Sequence, residues 1–513
     1  MPTKRIFLFI LISIVVVHII VIFIVLKPQS NLYIGDEMDK YVIYQVSQSI
    51  LRGDVEPSPY WNIGYPASLA LLHRFGIPYI TAEKWLSLPF SILMLGLAFI
   101  ISYKLSDFRV AFFTSLVLIV SETYLLRSVG SKDFMMSSSI LLLAILGFCD
   151  FNEDDRYDMV FLYGLILGIY FTFRYIGIYL LPGFIIYIFS VKGKVRGLFQ
   201  SLVYTGGFTL GALPQFVIAT YTWGNPFYSG NAKTIWFTIN NINDWPRFFA
   251  TNREFSIFSV IADNPIGFIL NWFRGLNNFL WFKLINPPLI YLSYAGLIVF
   301  LLRKKNRWLN FSICILSLYL MITFTYKAKI DYLLPLIPFL SFGGVWFIFE
   351  FIPGRLQKRR FSWIPLRYVV LILIIAYMLI YSYNSINKTD ESIIWEREAT
   401  GRVADILRSD EVFEPSSVLS TDMWYLYLPG AKDDLWEYDQ VPFNMTEPEE
   451  VLGYVLRDGY RYLLLYDRDK RAFGNWAGLP KKLMDMKLPD NFKLMLDMED
   501  SRRRLMLYKI LKK

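Results

Sequence analysis

Histidine is nearly missing from this sequence: His18 and His73 are the two present in 513 residues. No Ser-His-Asp set can be assembled from them, and HExxH is absent, so zinc hydrolysis loses its usual signature. The P-loop pattern GxxxxGK[ST] and the GxGxxG turn are absent too, which removes the common mark of ATP-driven transport. Cysteine is as scarce. Cys149 and Cys314 fall in or beside apolar runs and read as small buried hydrophobes, with no disulfide framework and no metal-ligand spacing. His18, in mid-run, reads as a neutral residue packed inside a bundle; His73, in "LLHRFG", reads as interfacial. Charge is also short, at 19% of residues against about 25% in soluble domains. No internal repeat, low-complexity run or matching pair of broken helices is seen.

Apolar residues are abundant instead. They make up 55% of the chain, mean hydropathy is +0.39, and the excess comes in blocks of about 20, enough to cross ~30 Å of hydrocarbon. The sequence predicts a polytopic α-helical membrane protein of about eleven spans. They lie near 6–26, 82–103, 109–126, 134–150, 158–173, 176–191, 198–221, 285–302, 308–325, 332–350 and 366–383. The first run is too long for the core of a cleaved signal peptide and has no small-residue cleavage site after it, so it reads as a retained anchor. With the N-terminus in the cytoplasm, "KLSDFR", "VKGKVRG", "RKKNR" and "PGRLQKRRFSWIPLR" are cytoplasmic and basic, as the positive-inside rule asks. The acidic "FNEDDRYD" is the one misfit. The net charge of +9 thus needs no nucleic acid to explain it.

This topology leaves 27–81, 222–284 and the tail outside. Residues 1–384 form the membrane module and 385–513 a small extracytoplasmic α/β domain. In that tail "ESIIWEREATGRVADILRSD" and "EPEEVLGYVLRDG" have helical spacing, "SSVLST" and "YRYLLLY" read as buried strands, and "FKLMLDMEDSRRRLMLYKIL" as two strands around a turn.

The chemistry must therefore come from charges at the outer edges. Residues 37–51 read as an amphipathic helix on the membrane surface, with Met38, Tyr41, Val42, Gln45, Val46, Ser49 and Ile50 on its apolar face. Asp36 stands just before it, either as an N-cap or as a general base; Glu37 would hold acceptor or metal. In "RSVGSKDF", Arg127, Lys132 and Asp133 reach the water edge, and Asp133 is either a cap or a functional acid. In "TFRYIG", Arg174 either snorkels or binds an anion, beside Tyr175. "YKAKIDYLLP" adds Lys327, Lys329 and Asp331. A carboxylate base, several cations and a lipid-facing groove suit a sugar carried on a polyprenyl phosphate. Its leaving group is a phosphate that needs Arg or Lys but no carboxylic acid, and only the incoming hydroxyl needs a base.

In these residues the chain resembles the GT-C superfamily of membrane glycosyltransferases, most nearly the dolichyl-phosphate-mannose protein mannosyltransferases and the aminoarabinose transferases. The resemblance runs from the first span to about residue 350. Asp36-Glu37 matches an Asp-Glu pair whose Asp is the base, and Asp133 an acidic residue of the second outer loop. "GYPASLALLHRFG", "LPQFVIATYTWGNPFYSG" and "DYLLPLIPFL" match further segments. Two departures stand out. Asp331 occupies the place of an Arg, and "PYWNIGYP" that of a Lys-Pro-Pro-like stretch. The resemblance implies an inverting glycosyltransferase with Asp36, Glu37 and Asp133 as catalytic residues. Arg127, Lys132, Arg174, Tyr175, Lys327 and Lys329 are candidates for the donor phosphate. Its partners would be a polyprenyl-phosphate sugar, a protein, lipid or glycan acceptor, and membrane lipids. No cofactor is required; a divalent cation, Mg or Mn, would sit on Asp36 and Glu37 if one takes part. The competing classes are a secondary transporter, which should show two related halves, and a non-catalytic membrane protein with an extracellular binding domain.

Overall fold

In hydrocarbon a backbone can satisfy its donors and acceptors only within itself, so long apolar runs become helices. The computed structural model describes residues 4–26, 37–129, 132–149, 151, 156–240, 255–281, 284–286, 289–303, 307–326, 330–351, 364–387, 391–410, 417–421, 439–442, 445–468, 478–500 and 503–511. The first ten helices are α1 (Lys4–Leu26), α2 (Glu37–Arg52), α3 (Gly64–Arg74), α4 (Tyr79–Leu105), α5 (Phe108–Ile119), α6 (Glu122–Arg127), α7 (Phe134–Gly147), α8 (Tyr157–Phe173), α9 (Ile176–Lys192) and α10 (Lys194–Trp223). Among the described residues five helices are long and apolar enough to cross a membrane: Thr81–Leu105, Lys194–Trp223, Arg307–Tyr326, Ile330–Phe351 and Leu366–Ile386. Six more apolar helices are shorter. Every apolar run of the sequence falls on one of these.

Two runs depart from simple helices. The run at 109–126 breaks after Ile119, because Ser121 turns its hydroxyl to the Leu284 carbonyl at 3.1 Å and a new helix, α6, starts at Glu122. The run at 332–350 begins as a 3-10 stretch, Ile330–Leu336, around Pro335, which has no N–H to donate.

The chain forms two compact units. One comprises Met1–Tyr33, Ser49–Asn231 and Ile269–Lys388; the other gathers Ile34–Gln48, Ala232–Phe268 and Thr389–Lys513. In the first, α8 and α10 meet through glycines. A Cβ on Gly164 or Gly168 would collide with the carbonyl of Tyr204 or Phe208, and one on Gly207 or Gly211 with the carbonyl of Phe161 or Leu165. "GLILG" and "GFTLG" are thus facing small-xxx-small stripes, which let two backbones touch where no hydrophobic force drives helices together.

The second unit carries the sheet: β1 (Val418–Ser420), β2 (Asp439–Gln440), β3 (Tyr462–Arg468), β4 (Phe492–Glu499) and β5 (Arg503–Ile510), in the order β2-β1-β3-β5-β4. β1 runs parallel to β2 and β3, while β5 is antiparallel to both β3 and β4. Leu419, Leu463, Leu465 and Met506 pack with Val451, Val455, Leu479 and Leu483 from the helices Pro448–Arg457 and Gly478–Asp485. The expected strands and helices of the tail are present.

Two sequence readings need adjustment and one holds. In α2, Ile43, Tyr44, Val46, Ser47 and Ser49 are buried while Gln45 is exposed. The packed stripe is therefore rotated from the expected one, because a polar amide was counted on the apolar face. Cys149 is half-buried and Cys314 exposed, so neither is a buried hydrophobe. His18 is fully buried as expected, with Nε2 3.0 Å from the Ser91 hydroxyl.

Candidate functional site

α8 ends at Phe173 because Arg174 leaves the helical region (φ −141°, ψ 122°), its N–H reaching back to the Tyr170 carbonyl. The extended residue turns a guanidinium across to the start of α7. There Arg174 Nη2 donates to Asp133 Oδ1 at 2.7 Å, and Nε stands 2.6 Å from Oδ2. Asp133 is 1% exposed and occupies the N-cap position of α7, yet its carboxylate makes no capping hydrogen bond. The cap reading of Asp133 is therefore replaced by an ion pair. The guanidinium also lies over the rings of Phe134 (4.4 Å), Tyr332 (5.0 Å) and Trp61 (5.9 Å). Of its five N–H donors, one on Nη2 is hydrogen-bonded to Asp133.

Lys132 has φ +53°, a left-handed conformation that non-glycine residues adopt at a cost. It is 6% exposed and brings Nζ 5.9 Å from the Trp61 ring centre. A second pair joins Arg127, the last residue of α6, to Asp331 in the 3-10 stretch, Nη2 to Oδ1 at 2.5 Å. The carboxylate at 331 thus faces an arginine supplied by α6. Beside this pair Glu122, Arg127, Ile330, Tyr381 and Ser385 help to line a cavity of about 210 Å³. Tyr175 starts α9 and accepts from Gln215 Nε2 at 3.2 Å; Gln215 Oε1 accepts in turn from the Ile63 N–H at 2.9 Å. Tyr60 borders the same segment, and burial together with Tyr228 pushes its phenol up to about 12, so it stays a neutral hydroxyl.

Of the residues expected from the sequence, Arg127, Lys132, Asp133, Arg174 and Tyr175 belong to this neighbourhood. Asp36, Lys327 and Lys329 lie outside the described residues, and Glu37 is placed only as the first residue of α2. Among the described residues no group of three or more His, Cys, Asp or Glu could hold a metal ion. Sequence reasoning passed over Trp61, Phe134, Tyr332 and Gln215. Trp61 and Tyr332 stood in the two stretches already marked as departures, "PYWNIGYP" and "DYLLPLIPFL".

No protein-family model matches the sequence, nor does the sequence of any curated protein. Solved structures do match. ArnT from Cupriavidus metallidurans in the apo state superposes with a TM-score of 0.57 at 13% identity, over 97% of this chain and 97% of that one. The ArnT structure bound to undecaprenyl phosphate gives 0.54 at 13% identity over the same shares. The Archaeoglobus fulgidus oligosaccharyltransferase in the apo form gives 0.55 at 12% identity, over 88% of this chain and 69% of that chain. The chain has the GT-C fold. In that GT-C architecture, Asp133–Arg174 and Arg127–Asp331 join helix ends belonging to one unit.

Proposed function

We propose that this chain is an inverting glycosyltransferase that moves a sugar from a polyprenyl phosphate to an acceptor hydroxyl on the extracytoplasmic face. The observation that carries the reading is the end-to-end likeness to ArnT, a protein seen bound to undecaprenyl phosphate. The clustering of Arg127, Lys132 and Arg174 at helix ends is in keeping with it.

The acceptor oxygen attacks the anomeric carbon as the bond to the phosphate oxygen breaks, and the phosphate leaves with that electron pair. Charge therefore grows on phosphate, and preorganised N–H donors aimed at it favour the transition state. Arg174 suits this role because Asp133 and the aromatic rings fix its plane while other donors remain outside the pair. Lys132, and Lys327 or Lys329, add positive charge. Asp36 takes the hydroxyl proton, with Glu37 beside it to hold the acceptor. A divalent cation held by Asp36 and Glu37 would add Lewis acidity.

Purified protein in nanodiscs, given radiolabelled polyprenyl-phosphate sugars and membrane extract as acceptor, tests the reading. Label should move to an acceptor with release of polyprenyl phosphate. A folded protein that consumes none of a broad panel of such donors, or that moves one across the membrane unaltered, would overturn it.

A further inference from the structure

We propose that Trp61 is the platform on which the pyranose ring of the lipid-linked donor stacks. The site then reads the sugar as well as the phosphate. The inference rests on the function proposed above and gives it a substrate-recognising residue.

Trp61 belongs to a segment fixed on both sides. The Pro59 carbonyl accepts from the Gly230 N–H at 2.7 Å, and a Cβ on Gly230 would come within 2.8 Å of the Tyr60 ring. Asn62 donates to the Phe171 carbonyl at 2.5 Å, and Ile63 to Gln215. Ser58, Asn62, Ile63 and Tyr65 are all buried, yet Trp61 between them is only half-buried. A large ring held partly open on a pinned backbone presents a flat apolar face at little entropic cost. A tryptophan that merely anchors a chain at the membrane surface needs neither those pins nor charged neighbours.

The neighbours of the ring are cationic. Lys132 and Arg174 each stand 5.9 Å from the ring centre, near the ~6 Å limit of cation–π attraction. They hold the indole weakly and leave their donors close to whatever covers it. The C–H groups on one face of a pyranose are slightly positive and match the negative face of an indole. The anomeric oxygen leaves at the edge of the sugar ring, so a stacked sugar would carry its phosphate within reach of these two cations, each 5.9 Å from the indole centre. Lys132 in its left-handed conformation fits the same pattern, since backbone strain collects where a side chain must be aimed.

The test is binding of three probes, undecaprenyl phosphate, undecaprenyl-phosphate glucose and undecaprenyl-phosphate mannose, to the full chain in nanodiscs. Wild type should prefer at least one sugared lipid over the bare one. Trp61→Ala should cut that preference about tenfold, Trp61→Phe should keep most of it, and bare undecaprenyl phosphate should bind all three proteins alike. Should Trp61→Ala fail to fold, Trp61→Leu against Trp61→Phe makes the same comparison, since leucine fills space without an aromatic face. Equal weakening toward all three lipids, an intact preference in Trp61→Leu, or no preference in wild type would each overturn the platform. A wild type that binds none of the lipids, the bare one included, would instead remove the functional reading beneath it.

Discussion

Arg174 carries a full positive charge at the junction of two apolar helices, where a lone guanidinium is costly to hold. Asp133 makes it tolerable, and the faces of Phe134 and Tyr332 enclose it. Removing one partner of such a pair leaves an uncompensated charge and typically costs about 3–5 kcal/mol. Asp133→Asn and Arg174→Gln should therefore each lower the thermal midpoint in detergent, and the double variant should lose clearly less than the two losses added. Simple additivity would show that the pair is not coupled. Arg174→Lys keeps the charge but not the fork; it should fold better than Arg174→Gln while donor use still drops about ten- to a hundredfold. Asp36 calls for a different substitution. Asn caps a helix about as well as Asp but cannot accept a proton, so Asp36→Asn should leave stability nearly unchanged while turnover falls at least about a hundredfold. Near-normal turnover in that variant would leave Asp36 as a cap alone.

Helices α8 and α10 show how an element can set a residue's position. Gly168 of α8 lies against the Phe208 carbonyl, six residues before Arg174, the extended residue that ends the helix. In a helix interior Ala is usually better than Gly by about 0.5–1 kcal/mol. Gly96 of α4, with nothing within 4 Å of an added Cβ, should obey that rule, and Gly96→Ala should be neutral or stabilising. Gly168→Ala should have the opposite sign, lowering the thermal midpoint and, by moving Arg174 off Asp133, also reducing donor binding. Equal effects at the two glycines would mean that the α8–α10 contact does not constrain the site. Element type was legible in the apolar runs and in the tail, because those runs and the strand pattern around "YRYLLLY" are local signals. The facing glycine stripes were visible as letters, but each has meaning only once its partner helix is known. Asp133 and Arg174 are 41 positions apart, and Arg127 and Asp331 further still. Nothing in the sequence says which of several opposite charges on separate outer turns will meet. The same holds for the aromatic rings around Arg174, since phenylalanine and tyrosine are too common here to single out two.

Across the whole molecule the two ion pairs bear on topology independently of loop charge. They require the turn after α6, the turn between α8 and α9 and the 3-10 stretch at Asp331 to share one end of the helix bundle. Counting the apolar helices from α1, with α6 taken as a continuation of α5, puts all three turns on the same side of a membrane. It puts the basic loops "KLSDFR", "VKGKVRG", "RKKNR" and "PGRLQKRRFSWIPLR" on the other. From the positive-inside rule we propose that the second side is cytoplasmic and the first extracytoplasmic, together with the tail beyond 384. The acidic "FNEDDRYD" falls on the cytoplasmic side, but its Arg156 and Asp158 already pair at 2.6 Å, and acidic residues weigh little in the rule. Replacing the natural Cys149 and Cys314 by serine first ensures that only the introduced thiol is read. A cysteine placed at Asn387 should be labelled by a membrane-impermeant maleimide on intact cells. One placed at Asn306, in "RKKNR", should react only after the membrane is opened. The reverse pattern would turn the paired turns to the cytoplasm, and an acceptor would then have to be met there. Labelling at both positions would break the parity and require one apolar helix to lie outside the bilayer.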